Sequence, residues 1–198
     1  MTGPNRVVLQ AVVVTIAIGI GTARAQTARA TSTAEAPQYP QAETALGYTY
    51  VHPDGGGPDS NLGGGIQVAY NLAPWFGIAA DGNISHFSGT LPNGVGWGQT
   101  EYGLLGGIRL AARQFGDVVP FAHLLAGYCR VNSDYSGSNT GNDFFAIQPG
   151  GGVDIYHGRF GARVEVSWRR MFDQSGAINR LRFFAGLVVR SDPKRHDD

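Results

Sequence analysis

Five histidines, one cysteine and the glycine triplets at 63–65 and 150–152 are the first places to look for chemistry in this chain. His52, His86, His123, His157 and His196 are dispersed, and no set of His, Cys and carboxylates has zinc-ligand spacing, so neither a metal nor a cofactor is expected. Gly63-Gly64-Gly65 and Gly150-Gly151-Gly152 open no helix, and a helix start is what gives a phosphate loop its anion-binding amides; both read as strand glycines. Cys129 reads as a small wall residue rather than a reactive thiol. What remains is a set of ionisable and polar side chains spaced two apart: Asp154, then Arg163, Glu165 and Arg169, and the pair His86 and Ser88. Residues two apart on a strand share a face, so these spacings gather chemistry only if the segments carrying them are extended.

Alternation shows that they are. Ile147, Pro149, Gly151, Val153 and Ile155 alternate with Gln148, Gly150, Gly152 and Asp154, and Phe160, Ala162, Val164, Val166 and Trp168 alternate with Gly161, Arg163, Glu165, Ser167 and Arg169. Similar patterns predict eight strands: Glu43 to His52, Asn61 to Leu72, Trp75 to His86, Gly98 to Arg113, Val118 to Val131, Asn142 to Tyr156, Phe160 to Phe172 and Ile178 to Arg190. Connections two, four and six are tight (Ala73-Pro74, Gln114 to Asp117, and His157-Gly158-Arg159). The others, Pro53 to Ser60, Phe87 to Trp97, Asn132 to Gly141 and Asp173 to Ala177, are looser and rich in Gly, Asp, Asn and Ser. Strands long enough to cross a bilayer at a tilt, with short turns opposite longer loops, predict an eight-stranded antiparallel up-and-down transmembrane β-barrel.

Charge sorts by strand face. Asp81, Glu101, Arg109, Arg113, Asp154, Arg163, Glu165, Arg169, Arg180, Arg182 and Arg190 fall on the face expected to point inward; only Arg130, Asp143 and Arg170 fall outward, all at strand ends. A polar inside and an apolar outside is the polarity of a membrane barrel and the reverse of a soluble sandwich. A lumenal network of Asp154, Arg163, Glu165 and Arg169 is expected, joined by Glu101, Arg109 and Arg182, because buried ions without partners cost several kcal/mol each. With a tight hairpin about His157-Gly158, Gly152 is expected opposite Arg163 and Gly150 opposite Glu165, glycine leaving room for the long side chains. The fifth strand should place Phe121 and His123 inward. Tyr50, Tyr102, Tyr128, Phe145 and Trp168 should form an outward girdle near the external interface.

The ends carry different signals. Arg6, an apolar run from Val7 to Gly21 and the small-x-small Ala23-Arg24-Ala25 predict a signal peptide over 1–25, too short at about 15 apolar residues for a spanning helix of about 20. No cysteine lies near the cut, so no lipoprotein anchor is expected. Residues 26–41, rich in Ala, Thr, Pro and Gln, predict a flexible periplasmic leader; 42–190 predict the barrel and 191–198 a polar tail. Thirty glycines with eight tyrosines and ten phenylalanines fit neither a helical bundle nor a disordered chain, and zero formal net charge carries no nucleic-acid footprint. A single cysteine leaves burial and backbone pairing to hold the fold.

The order of Ala45 to Tyr50 (ALGYTY), Gly103 to Ile108 (GLLGGI), Pro120 to Tyr128 (PFAHLLAGY), Gln148 to Tyr156 (QPGGGVDIY), Arg163 to Trp168 (RVEVSW) and Phe184 to Val189 (FAGLVV) resembles the small outer-membrane β-barrel family of the OmpA and OmpX type. The resemblance covers about Ala42 to Arg190. It implies export, insertion by the barrel-assembly machinery and residence in the outer membrane among lipid and lipopolysaccharide. Such barrels usually finish on a terminal aromatic residue, whereas this chain continues past Arg190 with Ser-Asp-Pro-Lys-Arg-His-Asp-Asp. Within the same kind of protein, His86-Phe87-Ser88 resembles the His-x-Ser element of the lipid A 3-O-deacylases, which implies a serine nucleophile activated by histidine and oriented by an acid. The chain departs from that element in its position, far from the C-terminus, and in Gly89 where the family has Asn.

These readings converge on a non-catalytic outer-membrane barrel with a filled lumen, presenting surface loops for envelope integrity or surface contact. A lipid A deacylase-type esterase using His86 and Ser88 is the enzymatic alternative. A soluble periplasmic lipocalin-like carrier, with its apolar face inward, is the third. Arg130 and Arg170, outward at the external rim, are the candidates for contact with lipopolysaccharide phosphates, since guanidinium pairs well with phosphate.

Overall fold

Period-two alternation, interrupted only by the single 3-10 turn Arg113–Phe115 among the described residues, leaves a sheet as the way to satisfy the backbone, and a sheet with an apolar outer face must close to hide its edges. The computed structural model describes residues 39–54, 59–60, 62–90, 94–135, 138–173 and 176–192. The predicted signal peptide, residues 26–38 of the leader and residues 193–198 of the tail lie outside them. The strands are β1 (Ala42–Pro53), β2 (Leu62–Asn71), β3 (Phe76–Thr90), β4 (Gly96–Ala111), β5 (Val118–Tyr135), β6 (Ser138–His157), β7 (Phe160–Asp173) and β8 (Gly176–Arg190). Each pairs antiparallel with the next, and β8 closes onto β1, giving an eight-stranded up-and-down barrel.

Three of the expected external loops are instead largely sheet. Pairing continues to Thr90↔Gly96 between β3 and β4, to Tyr135↔Ser138 between β5 and β6, and to Asp173↔Gly176 between β7 and β8. The polar composition of these stretches reads as loop, but a backbone ladder does not require apolar side chains, so the hairpins run on past the apolar band as solvent-facing ribbons.

At the opposite end the β6–β7 turn is closed by two residues, Gly158 and Arg159, with His157 opposite Phe160. Gly158 takes φ +63, the left-handed region in which two-residue hairpins turn and glycine is least strained. This corrects the expected register by two residues: Arg163 lies opposite Asp154, not Gly152, and Gly152 lies opposite Glu165. A shift of two preserves which face each residue occupies and changes only its partner.

Side chains alternate as the charge sorting requires. Leu46 is 67% exposed, Leu104 67% and Leu187 73%, whereas Asp154, Glu101 and Arg169 are almost wholly buried. Phe121 and His123 are also inward. The carrier reading needs the opposite polarity and is set aside, because leucines outside and arginines inside make a wall solvated by lipid. Trp75, Phe115 and Phe160 are exposed at the turn end. Trp75 and Phe115 lie in the connections between strands, and Phe160 begins β7.

The closing seam sets a strict demand on two residues. Gly47 and Gly186 face each other across β1 and β8, and a Cβ on Gly47 would fall 2.3 Å from the Ala185 carbonyl oxygen and 2.5 Å from the Gly186 Cα. Backbone, not a flexible side chain, would have to move. Gly47→Val is therefore expected to destabilise closure by roughly 1–3 kcal/mol or more. The loss should be visible as a smaller fraction of compact, heat-modifiable protein after refolding in detergent; an unchanged fraction would remove the seam argument.

Candidate functional site

Two places gather polar chemistry, the lumen and the outer rim. In the lumen, strand alternation delivers side chains from all around the barrel to one axis, and the ion pairs form two tiers. The tier near the chain termini centres on Glu43 and Asp154. Arg163 grips Asp154 with Nε at 2.7 Å and Nη2 at 2.8 Å, and Arg109 reaches the same carboxylate with Nη2 at 2.7 Å. Arg109 also donates to Glu43 at 2.5 Å, as does Arg113, which is half-buried at this mouth. Phe121 lies between the two guanidinium groups, 4.3 Å from Arg109 Cζ and 4.7 Å from Arg163 Cζ. A ring face against desolvated cations adds attraction that the paired carboxylates do not supply.

The second tier is built on Asp81, Glu101 and Glu165. Arg169 pairs with Glu101 at 2.9 Å and bonds Asn83 and Gln148; Arg180 reaches the other Glu101 oxygen at 3.4 Å. Arg182 spans Asp81 at 3.0 Å and Glu165 at 3.2 Å. Gln67 joins the tiers. Its amide nitrogen donates to Asp81 and to Glu165, each at 2.9 Å, and its oxygen accepts from Arg163 at 2.9 Å. All seven charged residues expected in one lumenal network are thus inside, but Asp154, Arg109 and Arg163 belong to one tier and Glu101, Arg169 and Arg182 to the other, with Glu165 at the junction.

Glu43, Gln67 and Asp81 are the interior members that complete this arrangement. Asp81 was assigned inward by its face; Glu43 lies on the face of β1 opposite Tyr50, and its Arg109, Arg113 and Arg163 partners fix its place in the network. Arg190, placed inward by phase, sits at the mouth: it donates to the Gly158 carbonyl at 2.8 Å, reaches Asp117 at 3.4 Å and lies over the Tyr156 ring. The interior also carries apolar layers. Leu105, Leu125, Val131, Phe144, Ala146 and Met171 surround Cys129, so the lone thiol is a buried wall group.

At the outer rim, Asp59 in the first loop accepts from Tyr50 and from His52 Nδ1, the latter at 2.5 Å. These two bonds hold its carboxyl below the usual carboxylate range. Arg130 donates to Asp143 at 3.2 Å and to Asn132 at 3.1 Å on the outer face of β5 and β6, and Tyr128 also donates to Asp143. Arg170 lies two strands from Arg130, with its Cζ 5.3 Å from the Phe172 ring. At the rim ends of β3 to β6 is a groove of 760 Å³ to which His86 and Ser88 both contribute. The histidine Nδ1 lies 3.0 Å from the Thr100 hydroxyl. Glu101, the nearest following acid, is on the other side of the wall in the grip of Arg169 and Arg180. The acid–histidine–serine relay that the deacylase resemblance implies is not assembled through Glu101. Among the described residues no cluster of His, Cys and carboxylates could hold a metal ion.

No family model matches the chain, and no curated protein matches it in sequence. Solved structures do match in fold. Neisserial surface protein A superposes with a TM-score of 0.59 at 10% identity, over 76% of this chain and 96% of that one. The outer membrane protein OprG from Pseudomonas aeruginosa superposes with a TM-score of 0.54 at 11% identity, over 79% and 98%. At such identities the likeness is one of architecture: the chain has the fold of the small outer-membrane β-barrels.

Proposed function

We propose that this protein, a barrel with the fold of the small outer-membrane proteins, is a non-catalytic component of that membrane whose working surface is its set of external hairpins. The observation that carries the reading is the contrast between its two faces: five carboxylates and five arginines paired inside, and leucine, isoleucine and valine facing out. Such a wall is stable only where acyl chains replace water outside. Buried charged side chains extend into the lumen, and one void among them, bounded by Gln67, Asp81, Arg109, Phe121, His123 and Arg163, is about 10 Å³. That space admits no more than about one water. An interior closed in this way supports an anchor rather than a pore.

Cell fractionation with heat-modifiable gel migration tests the placement, and single-channel recording in planar bilayers tests the closure. The expected result is a heat-modifiable band in the outer-membrane fraction and no stable conductance. A sustained open channel would overturn the closed-lumen reading, and recovery in the aqueous fraction without detergent would overturn the membrane reading.

Lipopolysaccharide is the proposed lipid partner at the rim, with the two outward arginines in unequal roles. Arg130 is already neutralised by Asp143, whereas Arg170 stands beside Ile147 and Phe172 on the lipid side of β7. A guanidinium near an apolar ring binds phosphate without first surrendering a carboxylate. Arg170→Gln should therefore lower lipopolysaccharide co-purification more than Arg130→Gln, measured per mole of folded barrel. Equal retention by both variants and the parent would argue against a phosphate contact at this rim.

A further inference from the structure

His123 is a buried titratable group that neither tier of ion pairs uses. The five buried carboxylates and five buried arginines balance one another, and an imidazole is the side chain whose ordinary titration falls between about pH 5 and 8. His123 Nε2 is buried without a hydrogen-bond partner. Its ring faces Phe121, with centroids 6.2 Å apart, and lies across Gly150 on β6, where a Cβ would fall 2.5 Å from Nε2. Arg109 from β4, Asp81 from β3, Glu165 from β7 and Arg182 from β8 act on it, and Arg163 shares the water-sized void at its side. Among the described residues, Glu165 is the carboxylate within ion-pair reach, with Oε1 3.9 Å from Nε2.

That oxygen is also the one that Arg182 holds. Arg182 Nη1 donates to Oε1 at 3.2 Å, while Oε2 accepts from Gln67 Nε2 at 2.9 Å. The carboxylate can therefore pivot on Gln67 and carry Oε1 from one cation toward the other. β6 runs between His123 and Glu165 and presents Gly150 opposite the first and Gly152 opposite the second, so no side chain stands between them. Arg182 keeps Asp81 as an ion pair at 3.0 Å, so release of Glu165 strands no buried guanidinium. We propose that His123 is an acid switch at the junction of the two tiers: its protonation adds a cation beside Arg109 and Arg182 and draws Glu165 from Arg182 to Nε2. The tier near the chain termini stays fastened, because the bonds of Arg109 and Arg163 to Asp154 do not pass through Glu165. Acid thus loosens the second tier alone. The inference rests on the closed-lumen reading in one respect, since water filling the lumen would solvate the imidazolium and leave Glu165 in place.

The experiment is an NMR titration of the full-length, detergent-refolded protein from about pH 7.5 to about pH 4.5, a range that spans ordinary imidazole titration. It follows the His123 Cε1–H resonance and the guanidinium N–H resonances of Arg182 and Arg163. The expected result is a shift of His123 and of Arg182 with one shared midpoint, while Arg163 does not move. His123→Gln keeps a neutral polar side chain over Gly150, and in that variant, verified as folded by heat-modifiable migration, the Arg182 resonance should be constant across the range. A His123 resonance that does not titrate while the parent barrel stays folded overturns the switch without need of any variant. So does an Arg182 response that persists in His123→Gln. Titration of His123 with no response from Arg182 separates two failures: in a barrel that conducts at neutral pH it overturns the closed-lumen reading and the switch with it, and in a barrel that does not conduct it overturns the switch alone.

Discussion

Asp154→Ala is expected to lower the free energy of unfolding by about 3–5 kcal/mol, the range for removing one partner of a buried ion pair. Asp154 is wholly buried and takes three charge-assisted bonds of 2.7 to 2.8 Å, two from Arg163 and one from Arg109. Its removal leaves Arg163 with Gln67 and a longer 3.4 Å contact to Glu43, which already serves Arg109 and Arg113. Three guanidinium groups would then crowd the Glu43 carboxylate, two of them, Arg109 and Arg163, against the Phe121 ring. Urea titration of the folded barrel in lipid vesicles measures the change. A double variant, Asp154→Leu with Arg163→Met, should recover much of the loss, because it removes both charges and fills their space. A loss below about 1 kcal/mol for Asp154→Ala would mean that water enters the tier freely and that it is hydrated rather than paired.

Leu46→Arg should cost about 2–4 kcal/mol in the same assay, the penalty for a cation at the bilayer midplane on a barrel's lipid face. Leu46 stands midway along the outer face of β1, four residues from Tyr50 and four from the strand start, and is 67% exposed. On a water-soluble protein so exposed a position would tolerate arginine within about 0.5 kcal/mol. The two environments therefore predict different outcomes from one substitution. Thr90→Arg, on the ribbon beyond the girdle, provides the control and should be close to neutral. A neutral Leu46→Arg would overturn the lipid-facing assignment of the whole exterior, since Leu104 and Leu187 are exposed on the same terms.

The two tests draw on different levels of information. That Leu46 faces out and Asp154 faces in was legible in the chain, because a strand sends successive side chains to opposite sides and the charges of β7 keep strict step at Arg163, Glu165 and Arg169. Strand number, antiparallel order and the internal position of the predicted charges followed from that periodicity. Strand ends at the rim did not: Asn132 to Gly141 is polar enough to read as a loop, yet it pairs through Tyr135↔Ser138.

Partners were decided only in the assembled barrel. Alternation assigns a residue to a face without fixing its neighbour across the sheet, and the two-residue turn at Gly158 and Arg159 is what sets Asp154 against Arg163. Glu43 meets Arg163, 120 residues away in the chain, only because β8 closes onto β1 and leaves β7 one strand from it around the barrel. The outer groove has the same origin: His86, Thr100, Asn132 and Asn139 come from four strands and become one surface when those strands lie side by side. The sequence by itself determined which side of the wall each group occupies, since that depends on local backbone geometry. Tertiary structure decided which groups touch, since that depends on turn closure, strand register and the curvature of a closed sheet.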